Sequence, residues 1–183
     1  ITLSGLTMGA AALADSATGI TVQTDQDTTA SAGAASGAIT SRPTSVTFAV
    51  AAGDRIATKT LVPVTLTFTT QTALATGGKI TLNYPSGFFA TTATPTVATG
   101  ATSVTTMTAT CAQPTATAIV INTAVAGIAA TTDFTITLSG LTMGAATGGS
   151  STGITVQTDA DTVASAGAAS GTISSQPTSV NFV

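Results

Sequence analysis

Histidine, tryptophan and glutamate are absent from this 183-residue chain, and only 6% of its residues carry a charge. General acid–base work needs a tuned His, Glu, Asp, Lys or Tyr beside a nucleophile, and without histidine the common triads and most zinc sites disappear. The seven acids are all aspartates, namely Asp15, Asp25, Asp27, Asp54, Asp133, Asp159 and Asp161, so the expectation is a protein without catalysis. Four scattered cations, Arg42, Arg55, Lys59 and Lys79, cannot neutralise a run of phosphates, which argues against nucleic acid as a partner. A single cysteine, Cys111, excludes an intradomain disulfide; it is either a small buried hydrophobe or a thiol able to join neighbouring subunits. One tyrosine leaves little for an aromatic sugar-binding platform. The mean hydropathy is +0.50, yet no apolar run approaches the ~18 residues of a spanning helix, so no membrane span is expected.

In place of charge stands threonine, about a quarter of the residues, far above ordinary usage. A soluble monomer normally spreads charge over its surface, so this chain must cover itself with hydroxyls, attached sugars or neighbouring subunits. That composition suits an extracellular or cell-surface setting. Threonine also alternates with apolar residues at the period of a half-buried strand. The segments are Val46–Val50, Val64–Thr69, Ile80–Tyr84, Ile119–Ile121, Phe134–Leu138 and Ile154–Val156. Val104–Cys111 changes phase midway and predicts a bulge. Turn signals such as Thr76–Gly78, Pro85–Gly87 and Thr147–Gly149 separate short strands. Seven to nine strands fit, with Phe48, Phe68, Phe88, Phe89 and Phe134 as the bulky core candidates.

The chain also copies itself. Residues 1–11 return as 136–146, and Gly19–Asp25 returns as Gly153–Asp159, 134 positions on. A length change between Ala12–Thr18 and Thr147–Thr152 is the one interruption, as expected of a surface loop. Ser41-Arg-Pro recurs as Ser175-Gln-Pro and marks a seam. The expected organisation is therefore the C-terminal part of a preceding repeat in 1–42, a complete repeat in 43–176, and the opening strand of the next in 177–183. Two readings of that phase follow: a window on a longer array, or a subunit whose residues 1–42 are completed by a neighbouring chain.

Thr72-Ala-Leu-Ala-Thr-Gly-Gly-Lys-Ile-Thr-Leu-Asn-Tyr-Pro-Ser-Gly-Phe-Phe89, with Ile128–Leu141, resembles segments of large Thr-rich, tandem immunoglobulin-like repeat proteins. Such proteins occur on bacterial, algal and protist surfaces as adhesin stalks, wall material or appendages. The resemblance implies an all-β chain of tandem immunoglobulin-like antiparallel β-sandwich repeats of about 134 residues, and it brings no catalytic residues.

Site chemistry narrows to a few positions. The duplicated Asp25/Asp27 and Asp159/Asp161 place alternate carboxylates at a strand end, where they either bind calcium or cap turns. Calcium is the sole cofactor candidate. No Asn-x-Ser/Thr sequon occurs, so attached glycans would be O-linked, with Thr92, Thr94, Thr96, Thr105 and Thr108 as candidates. The small-residue stretch Ala30–Gly37, repeated as Ala164–Gly171, is either a flexible loop or a place for another chain or a glycan to approach closely. The expected role is a structural repeat of an extracellular filament, appendage or coat that assembles with itself. The alternative is an adhesin stalk or a module that binds glycans or a host protein.

Overall fold

With threonine on one side and branched or aromatic carbon on the other, a segment can bury one face only in a sheet. The computed structural model, which describes residues 2–9, 16–100 and 107–176, is accordingly built of strands. Contacts divide the chain into two units, Ile1–Ser41 and Arg42–Val183.

Among its described residues the larger unit contains eight strands: β1 (Thr44–Val50), β2 (Val62–Thr69), β3 (Lys79–Asn83), β4 (Thr96–Gly100), β5 (Thr108–Cys111), β6 (Ala118–Ala124), β7 (Asp133–Leu141) and β8 (Thr155–Thr158). They form two four-stranded antiparallel sheets, ordered β1-β2-β7-β4 and β5-β6-β3-β8. The chain is all-β, and its two sheets have the character of a β-sandwich. Among the described residues only a short 3₁₀ turn, Ala52–Asp54, departs from strand and loop.

Alternation decides which side chains enter the core. In β2, Val62, Val64, Leu66 and Phe68 are fully buried. Their register partners on β7 include Ile136 opposite Leu66 and Phe134 opposite Phe68, the two rings meeting edge to face at 6.0 Å. The second sheet adds Ile80 and Leu82 from β3, Ile119 and Ile121 from β6, and Val156 from β8. Phe88, Phe89 and Tyr84 stack edge to face with centroids 4.8 and 5.0 Å apart, and Phe48 reaches Phe88 from β1 at 5.9 Å. Four of the five predicted core phenylalanines are fully buried, and Phe48 is partly exposed because β1 is an edge strand.

Two irregularities interrupt the ladders. Between β2 and β7 the register shifts from Val64↔Leu138 to Val62↔Leu141, giving β7 an extra residue. Gly140 supplies the left-handed backbone there, with φ of 90°, and the bulge lets Leu138 and Leu141 both face the core. The other shift lies in β1 between Thr44 and Thr47. The predicted bulge within 104–111 falls partly on residues 104–106, outside the described residues; from Met107 to Cys111 the strand alternates regularly. β4 was not foreseen as a strand. It is an edge with no fully buried residue, so its sequence carries no core signal.

The smaller unit, Ile1–Ser41, contains no named strand among its described residues, but its hydrogen bonds form a definite pattern. Ile20 and Ala34 bond each other in antiparallel fashion, and Ser31 N donates to Val22 O at 2.8 Å.

Candidate functional site

The duplicated segment occurs in both units, so its local structure can be compared directly. In the larger unit, Ile154 N donates to Ala168 O at 3.0 Å and Ala168 N to Ile154 O at 2.8 Å. In the smaller one, Ile20 N donates to Ala34 O at 3.0 Å and Ala34 N to Ile20 O at 2.8 Å. Serine hydroxyls repeat as well. Val156 N donates to Ser165 Oγ and Val22 N to Ser31 Oγ, each at 3.0 Å. Ser150 N donates to Ser170 Oγ at 2.9 Å, and Ser16 N to Ser36 Oγ at 3.1 Å. The same residues thus form the same return loop in both units, which makes that loop a locally encoded element.

The small-residue stretch is the returning arm of this element. A Cβ at Gly167 would lie 2.3 Å from Thr152 O, and one at Gly33 would lie 2.3 Å from Thr18 O. The stretch is small because its own outgoing arm passes that closely. Its serines replace backbone partners that a strand would otherwise supply.

The aspartates finish the element differently in the two places. Asp161 is fully buried, and its carboxylate accepts the backbone N–H groups of Gln71 (2.8 Å) and Thr72 (2.9 Å), while its own N–H donates to Thr158 Oγ1 at 2.8 Å. Asp159 is exposed and accepts Lys79 N at 2.9 Å. These two carboxylates anchor the end of β8 to the loop leaving β2 and to the start of β3. Asp25 and Asp27 are both exposed; Asp27 N donates to Thr24 Oγ1 at 2.9 Å, and its carboxylate accepts the Thr24 hydroxyl at 3.5 Å. Among the described residues no three acidic or thiol side chains converge as a metal site. Sequence reasoning found the Asp pairs but missed Gln71, Thr72 and Lys79, because backbone donors leave no trace in residue type.

Apolar exposure follows the same division. Leu3, Leu6, Met8, Ile20 and Val22 are between 51% and 74% exposed, whereas their counterparts Leu138, Leu141, Met143, Ile154 and Val156 are at most 1% exposed. Ile154 and Val156 are covered because β8 pairs with β3, Val156 lying opposite Leu82. Leu138 and Leu141 are covered because they join the core cluster that residues of both sheets form.

The candidate modification sites gather along one side of the sandwich. Thr92, Thr94, Thr96 and Thr108 are exposed, with Thr96 on edge strand β4 and Thr108 on edge strand β5; Thr105 lies outside the described residues. An open groove of about 340 Å³ between these edges is lined by Pro95, Thr96, Val97, Ala109, Thr110 and Cys111. Cys111 is partly exposed and donates to Ala112 O at 3.2 Å. Burial pushes its thiol up to about 11. Burial, reinforced by Cys111, also raises Tyr84, whose hydroxyl donates between Thr115 O at 2.8 Å and Ala118 O at 3.1 Å. The thiolate is the reactive form, so alkylation of Cys111 at pH 7.5 is expected to run well below the rate of a free peptide thiol, which a timed iodoacetamide reaction with mass readout measures. Both acids have raised folded-state values, so the stability they contribute is complete below the unfolded pKa. That stability fades as pH rises from about 9 through the Cys111 value of about 11.

Among the described residues no helix is long and apolar enough to cross a membrane. The sequence matches no protein-family model and no curated protein sequence.

Proposed function

We propose that the chain is a structural repeat of an extracellular filament, appendage or coat, built from tandem immunoglobulin-like sandwiches and assembling with copies of itself. The observation that carries this reading is the duplicated closing element, whose apolar residues are buried in one unit and exposed in the other. A protein that repeats a sandwich-closing segment within one chain is organised for linear extension. The crossovers that place β7 between β2 and β4, and β3 between β6 and β8, support an immunoglobulin-like topology. The outward threonines of β2 and β7, paired by a 3.0 Å hydroxyl contact between Thr67 and Thr135, support a surface that hydroxyls cover in place of charge. No step of this role needs a cofactor, a catalytic group or calcium. O-linked sugar at Thr92, Thr94, Thr96 or Thr108 would extend the polar coat along the β4–β5 side.

Light scattering and negative-stain microscopy over a concentration series test the proposal. Growth of filaments above a threshold concentration is the expected result. A monomer at every concentration that binds glycans saturably would move the role to an adhesin module.

A further inference from the structure

We infer that residues 2–41 are the closing half of a second sandwich, and that the exposed apolar face is made to receive a second copy of the strand set β1–β6. The larger unit displays the completed form of this arrangement. There, the residues equivalent to Leu3, Leu6 and Met8 belong to or follow β7, and those equivalent to Ile20 and Val22 sit at β8, all buried against strands from earlier in the unit. The local element is already formed in residues 16–36, with the bonds of its counterpart reproduced to within about a tenth of an ångström at Ile20, Ala34, Val22 and Ser31. The smaller unit therefore lacks its cover rather than its own conformation.

Polar groups specify the same occupant. Asp161 and Asp159 accept backbone N–H groups at Gln71, Thr72 and Lys79, so a cover for Asp27 and Asp25 must present the same two loops. A flat apolar surface offers no such donors. The strand set β1–β6 does, along with Leu82 to oppose Val22 as it opposes Val156.

This inference deepens the tandem-repeat reading and rests on it, but it fails separately: filaments can grow without this completion, and completion can occur without filaments. The test is a chain in which residues 43–135 are fused ahead of residue 1, compared by scanning calorimetry with the 183-residue chain. The expected result is a roughly twofold rise in unfolding enthalpy, because enthalpy scales with ordered residues. Val22→Asp should abolish that rise in the extended chain and leave the 183-residue chain unchanged. Thr29→Asp should preserve it, since the counterpart Val163 remains exposed in the covered copy. An enthalpy equal to that of the 183-residue chain overturns the inference. So does a gain that survives Val22→Asp, or precipitation of the extended chain where the 183-residue chain stays dissolved.

Discussion

Leu66→Asp or Ile136→Asp abolishes the cooperative thermal transition of the eight-stranded unit, while Thr67→Asp lowers its midpoint by only a few degrees. Leu66 and Ile136 face each other across the central β2–β7 pair, and both are fully buried. Losing a buried Leu or Ile side chain costs about 2–5 kcal/mol. Placing a carboxylate there adds the cost of burying a polar or charged group, several kcal/mol more. A domain of this size is stable by roughly 5–15 kcal/mol, so the sum reaches the whole margin. Thr67, one residue along, turns its hydroxyl outward to Thr135 at 3.0 Å. Its replacement loses about 1 kcal/mol, or about 3–5 °C. Circular dichroism melts of the three variants check this; similar midpoints for all three would contradict the assignment of faces.

The second large effect falls on a charge. Asp161→Ala is expected to destabilise the unit by roughly 3–5 kcal/mol, because it removes the acceptor of two charge-assisted backbone bonds, each worth about 1.5–3 kcal/mol in a solvent-free site. The bonds run from Gln71 N and Thr72 N at 2.8 and 2.9 Å. Asp27→Ala alters the duplicate position, where the side chain is exposed, and is expected to change stability by no more than about 0.5 kcal/mol. Urea titrations of both variants give the comparison. Equal effects would mean that position in the repeat, and not burial, governs the aspartate.

Alternation made much of the core legible in advance. In β2 and β3, and in β7 up to its bulge, the large branched and aromatic residues stand at every second position and are buried; in β6 Ile119 and Ile121 are buried and Val120 between them is half-buried. The reading thins where packing is one-sided. Thr96-Val-Ala-Thr-Gly100 holds a single large apolar residue and resembles a polar tract, yet it pairs with β7 as an edge strand. The duplication of Asp25/Asp27 as Asp159/Asp161 was plain in the sequence, but the partners of these carboxylates are amides brought from far away by folding. The small-residue stretch was visible too. What it accommodates, its own outgoing arm at Thr18 and Thr152, depends on a backbone path that composition does not encode.

Taken together, these observations make one comparison central: two nearly identical segments of one polypeptide share their internal hydrogen bonds and differ in what covers them. Local bonding alone gives weak protection, whereas a segment packed between β3 and the core opens only with the whole unit. Native-state hydrogen exchange of the 183-residue chain, read by mass spectrometry on peptides spanning 20–34 and 154–168, measures this directly. Exchange in 20–34 faster by on the order of a thousandfold is the predicted result. Equal protection of the two segments would show that the first copy is already covered, and would contradict the account.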